Sequence, residues 1–279
     1  MTLVTASRSR AFIKAARFPA PPSRRALRAR DLTDAPPVEL KATEAQSLVV
    51  GSGLIAAAAG VPVQVREDLI NCTLFAQLAA SGEVRDKTQI PEWYDSYFRA
   101  LTALGWAQSD TQFEEYEFKS KNGQAHKAIM QVIAALMGPG AAALVVVKAA
   151  LDALQSMNED SPWITLFDSQ SRVGKSARFQ VATAQTDPGG VLQIALCGFT
   201  LNTRSTLMQV LFFKFNSSST SLKYAAGKAT IFEAALAGQR SAIAARLDAY
   251  RSAYVGQVKF PPPPTLMLRV TPARSTLRS

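Results

Sequence analysis

The stretch VLQIALCGFTL, residues 191–201, decides how the rest of the chain is read. Strand alternation puts Val191, Gln193, Ala195, Cys197 and Phe199 on one face, and Leu192, Ile194 and Leu196 on the other. A strand apolar on both faces is a central strand covered on both sides. Gly198 leaves room for a close approach from the face opposite Cys197. Upstream lies a second strand-like run, ARFQVATAQ at 177–185, joined by the turn Thr186-Asp187-Pro188-Gly189-Gly190. Downstream, STLMQVLFFKF at 205–215 and SLKYAAG at 221–227 read as further strands. Successive strands joined by short turns imply an antiparallel meander.

Helical periodicity surrounds this meander. Ile70, Leu74 and Leu78 recur every fourth residue, and Tyr94, Tyr97, Phe98, Leu101 and Leu104 form one face after Pro91. Residues 125–157 are strongly apolar and break at Gly138-Pro139-Gly140, which predicts two buried helices rather than one membrane-crossing span. Residues 229–255 are predicted as one long helix with Phe232, Leu236, Ile243, Leu247, Tyr250 and Tyr254 on a common face. PWITLF at 162–167 and TQFEEYEFKS at 111–120 are predicted as strands. The expected fold is α+β: a single domain at 45–256, an antiparallel β-sheet meander covered by α-helices. Disordered basic tails at 1–44 and 257–279, both rich in proline, flank it.

Charge supports that division. The net charge is +10, from 31 basic and 21 acidic side chains. Eight cations fall in residues 1–30 and four in 257–279, leaving 19 basic against 21 acidic side chains between them. A near-neutral body argues against a nucleic-acid-binding face. The basic ends suit an anionic membrane surface or delivery machinery. No secretory signal peptide is visible at the start, so the expected location is cytoplasmic in the producing cell, with export by another route and membrane association at the target.

Two cysteines and one histidine limit the chemistry. No disulfide framework can form, and a metal site would have to combine Cys72, Cys197, His126 and a carboxylate, so none is expected. VVGSGLIAAAAG at 49–60 spaces Gly51, Gly53 and Ala56 like a dinucleotide-binding turn, but Gly60 and Pro62 stop any helix there too soon. Gly174-Lys175-Ser176 ends like a phosphate-binding loop, but the glycine such a loop needs is Ser169 here, and a strand follows. Cys197 with His126 as its base would make a cysteine-dependent acyl-thioester enzyme. Otherwise Cys197 is a buried thiol, and Trp93 is a core aromatic or a membrane-contacting one.

REDLINCTLFAQLAA, EWYDSYFRALTALGW and LCGF on an apolar strand are similar to runs of the Erwinia virulence factor family, over about residues 45–256. That resemblance implies helices around an antiparallel sheet, no enzymatic motif, palmitate on an internal cysteine, and membrane association. Carried over, it makes Cys197 the attachment point. Ala195, Phe199, Phe232, Leu236 and Ile243 would then line a lipid pocket. A chain of about sixteen carbons, buried at ~0.8 kcal/mol per methylene, would contribute on the order of 12 kcal/mol. The family's implied partner is membrane lipid, with no cofactor beyond covalent palmitate. The three tryptophans and the long basic ends have no counterpart in it. The remaining alternative is an assembly module whose ends dock elsewhere.

Overall fold

In the computed structural model, residues 6–21, 38–117, 122–157, 161–204, 207, 210–212, 214–216 and 220–258 are described. Helix α1 (Ala6–Ala15) precedes a hairpin of β1 (Gln46–Val50) and β2 (Gly53–Ala57). Two helices follow, α2 (Val63–Glu83) and α3 (Ile90–Ala103), then the short strands β3 (Trp106–Gln108), β4 (Glu114–Glu115) and β5 (Asn122–Gln124). Three more helices come next: α4 (Ala125–Met137), α5 (Ala142–Ser156) and α6 (Pro162–Ser171). The strands β6 (Arg172–Val173), β7 (Ser176–Thr186), β8 (Leu192–Thr203), β9 (Lys214–Asn216) and β10 (Thr220–Ile231) lead to α7 (Glu233–Leu236). A 3-10 turn, α8 (Arg240–Tyr254) and β11 (Val255–Val258) end the described chain.

The main sheet runs β11-β1-β2-β7-β8-β10-β3, with β4 on β10 and β6 on β7. Its neighbours are antiparallel except β2 and β7, which are parallel. The strand that opened the reading is β8, and it lies between β7 and β10 as its two-faced apolar pattern requires. Cys197, Phe199 and Leu201 face the cluster with α4, α5 and α6. Ile194 and Leu196 face the cluster with α2, α3 and α8. The fold is thus the expected α+β arrangement, with a mostly antiparallel sheet between two helical layers.

Several local expectations give way to tertiary context. PWITLF is helical, because Pro162 occupies the first helical turn, where its missing N–H costs nothing. Residues 229–231 continue β10, since Ala229, Thr230 and Ile231 pair with β3, and the long helix begins only at Arg240. Of the segment 111–120, only Glu114–Glu115 pairs as strand among the described residues, and residues 118–120 lie outside them. Within 205–215 the described strand is confined to β9, Lys214–Asn216, and residues 205, 206, 208, 209 and 213 lie outside the description. The predicted tail 257–279 lies outside it from residue 259 onward.

The N-terminal segment is also more than a tail. Ile13 is buried in the core, and residues 6–20 lie along α8. The Arg246 guanidinium donates to the carbonyls of Lys14 and Ala16, at 3.1 and 2.5 Å, and Tyr250 donates to that of Pro19 at 2.8 Å. Phe18 packs edge-on to Phe75 and Tyr250.

The layer of α2 and α3 is locked to the sheet by polar contacts. The Tyr94 hydroxyl reaches the β7–β8 ladder where Phe179 pairs with Phe199. It lies 2.8 Å from both carbonyls and accepts from the Phe199 N–H and the Gln180 amide. Its ring lies against Gly198, where an added Cβ would come within 2.7 Å of the ring edge. Gln77 clasps the β1–β2 turn by donating to the Val50 carbonyl and accepting from the Ser52 N–H. Gly51 there has φ 56°, and a Cβ would meet the Gln77 amide at 2.3 Å. Gly51 and Gly53 therefore serve a hairpin turn, not a nucleotide. Arg66 is buried and donates to the carbonyls of Val61 and Ala58 and to Gln46.

Replacing Tyr94 with phenylalanine should cost about 1–3 kcal/mol, because the Phe199 N–H and Gln180 amide lose their buried partner. Gly198→Ala should cost about 1–3 kcal/mol by forcing the ring off the strand. Urea unfolding checks both, and the double variant should lose less than the sum because the two changes act on one contact. A neutral Gly198→Ala would show that the ring is not tightly seated.

Candidate functional site

Cys197 occupies the centre of the sheet. It pairs with Val181 on β7 and Ala226 on β10, and only 2% of it is exposed. Its side chain packs with Val181, Phe199 and the apolar faces of α4, α5 and α6. Burial pushes the thiol up to about 12, and among the described residues no cation or imidazole acts to lower it. Cys72, in α2 on the other side of the sheet, is likewise raised to about 12 by burial, which outweighs the opposing contact with Trp106. Both cysteines are therefore protonated at neutral pH, and neither is an activated nucleophile.

The sheet divides the residues expected to form a lipid pocket. Ala195 and Phe199 share the face of Cys197 by alternation. Leu236 and Ile243 belong to the opposite cluster, and Phe232 is 38% exposed at the end of β10. These five residues are not one site. The hollow bordering Cys197 measures about 10 Å3. That is about what one water requires, ~10–15 Å3. It opens among Ile55, Ala182, Leu196, Tyr97 and Phe98, side chains of the opposite cluster. In this packing the thiol has no space for an acyl chain.

The other two sequence candidates also lie elsewhere. His126 is half-buried at the start of α4 against Phe212, at 5.8 Å between ring centres. Burial, aided by Lys127, lowers its pKa, and Asp152 opposes this. Trp93 is 1% exposed, stacked on Tyr97, with its indole N–H donating to Ser81. Its place is the core rather than a membrane surface, because α3 turns its aromatic face inward. Gly174-Lys175-Ser176 forms the tight turn from β6 to β7. Among the described residues no cluster of His, Cys, Asp and Glu could hold a metal, and no helix is long and apolar enough to cross a membrane.

A large cavity among the described residues was not anticipated from the sequence. It measures about 850 Å3 and lies where residues 16–20, the C-terminal end of α2, α8 and Arg178 of β7 converge. Arg178 is 5% exposed, with its guanidinium 4.3 Å above the Trp93 ring. It donates weakly to the Lys87 carbonyl at 3.4 Å, and its Nε has no partner. Burial lowers its pKa to about 10, so it stays cationic at neutral pH. The available signal was an arginine flanked by buried apolar residues in ARFQVATAQ, on a strand without an acidic neighbour.

No family model matches the chain, and no curated protein matches it. Among solved structures, a delta-endotoxin is similar at 12% identity and a TM-score of 0.41, over 76% of this chain and 90% of its own. The Evf virulence factor is similar at 9% identity and a TM-score of 0.37, over 73% of this chain and 84% of its own. The resemblance read from the sequence thus has a distant structural neighbour. Likeness of this order carries no argument about function.

Native Cys72 and Cys197 should react with a maleimide at neutral pH far more slowly than in the urea-unfolded chain. Rapid labelling of either thiol in the folded protein would contradict the burial described above.

Proposed function

We infer that the chain is a non-enzymatic, virulence-factor-like protein that associates with membranes through its layer of α4 and α5. The observation that carries this reading is an asymmetry between the two helical layers. The α2–α3 layer is tied down by Tyr94, Gln77 and Arg66. An ion pair from Arg240 of α8 to the buried Asp68 at 2.7 Å adds to these ties. The α4–α5 layer packs on the sheet with Ile129, Val132, Ile133, Val147, Leu151 and Leu154. Its described polar ties are few: the Ala143 N–H to Gln185 at 3.0 Å, and Tyr116 with Gln131. Its ion pair, Lys148–Asp152, is internal to α5.

The difference matters at a lipid surface. Polar ties lost to an apolar medium leave unsatisfied groups at high cost. Apolar contacts are replaced there by equally apolar acyl chains, so little opposes the exchange. Helices of 13 and 15 residues are too short to span a bilayer but suit its interface. Val145, 67% exposed on α5, supplies an initial apolar contact. Cys197 lies beneath this layer, so transfer of a palmitoyl group to its sulfur from an acyl thioester, with the thiol proton passing to the released donor thiolate, belongs to the lifted state, when the sheet face is open to a fatty chain.

The two cysteines test this directly, one under each layer. With vesicles of phosphatidylglycerol and phosphatidylcholine, maleimide labelling of Cys197 should rise about tenfold or more while Cys72 stays protected. Vesicle-bound protein with both thiols still protected, or with both labelled together, would defeat the reading. Intact mass of protein from its native source tests the acyl group separately, through a palmitoyl increment removed by hydroxylamine.

A further inference from the structure

The cavity at Arg178 belongs to neither lifting layer nor thiol, and its chemistry is specific. Five cations line it: Arg17, Arg85, Lys87, Arg178 and Arg246. Among the described residues no aspartate or glutamate lines it, and none of the five has a carboxylate partner. Elsewhere buried charge is better partnered: Asp68 has an ion pair with Arg240, and the Arg66 guanidinium donates to the carbonyls of Val61 and Ala58 and to Gln46. A guanidinium that is 5% exposed, with an unpartnered Nε and no counter-ion, is costly in the free protein. Trp93 holds it in place by stacking, which fixes the direction of its donors without neutralising it.

The geometry points to this cavity as a binding site for a phosphate monoester carrying an apolar body, with Arg178 as the anchoring donor. A forked guanidinium matches the oxygens of a phosphate, and several cations without an acid suit a dianion better than a single carboxylate. At about 850 Å3, the cavity exceeds what the anion alone fills. Phe18, Leu74, Leu78 and Trp93 supply apolar walls for the remainder. Arg246 is partly engaged by the carbonyls of Lys14 and Ala16, so Arg85 and Lys87, both exposed, complete the charge at the mouth.

Calorimetric titration of the full chain with two probes tests the site. Phenyl phosphate represents a free phosphoester and soluble dihexanoyl phosphatidic acid a lipid headgroup, with dihexanoyl phosphatidylcholine as the diester control. Saturable binding of either monoester at about one per chain is expected, and the tighter of the two identifies the source. Arg178→Met should weaken it about tenfold or more while leaving the ligand-free protein at least as heat-stable, because an unpaired buried charge is gone. Should that variant fail to fold, the double variant Arg85→Gln, Lys87→Gln changes only exposed side chains and should still weaken binding severalfold. Absence of saturable binding by both monoesters, or unchanged affinity in the variant that folds, would overturn the proposal. So would equal binding of the phosphatidylcholine control.

Discussion

One hydroxyl group holds the architecture in register. Tyr94 brings its oxygen to the β7–β8 ladder at the centre of the sheet, and only a strand lacking a side chain at Gly198 lets the ring lie close enough. That contact fixes α3 over the sheet. With α3 fixed, Trp93 is turned under Arg178, and Tyr97 is stacked on Trp93. The cavity at Arg178 is therefore shaped by an interaction at the sheet centre. The hydroxyl is pushed well above the ordinary tyrosine range by burial, so it keeps its proton and its role as donor at any physiological pH.

The sheet is covered by two layers held by different forces. On the Tyr94 side, hydrogen bonds to main-chain groups specify position and resist sliding. On the Cys197 side, the hydrophobic effect does most of the holding, and it is non-directional. In water both layers are stable. The distinction appears when the solvent changes, since an apolar surface weakens one kind of attachment and not the other. A thiol buried under the second layer reports on that difference, since burial keeps it protonated while the layer is in place.

Much of this could be read from residue order where the signal was periodic. The alternation of β8, the α3 stripe and the break at Gly138-Pro139 all depend on neighbours in sequence, so local pattern sufficed. PWITLF did not reveal itself, because a six-residue apolar run fits a strand or a buried helix equally well. Residues 229–231 were misread because their strand exists only by pairing with Trp106, Ala107 and Gln108, far away in the chain. The lipid pocket implied by the resemblance joined residues that the sheet keeps apart. The cavity at Arg178 was invisible for a related reason: its walls come from segments far apart in the sequence, and only folding brings them together. Residues 6–20 dock on the body although they belong to a basic, proline-containing end, because Ile13 and Phe18 find apolar partners far along the chain.

The N-terminal strand of contacts along α8 has a consequence for how this protein can diverge. Arg246 and Tyr250 hold residues 14–19 by peptide carbonyls, which every amino acid carries. Apart from Ser9, Phe12, Ile13, Arg17 and Phe18, the chemical identity of that segment is therefore freer to drift while its docking persists. A different peptide that keeps those few side chains could be grafted there without undoing the carbonyl contacts.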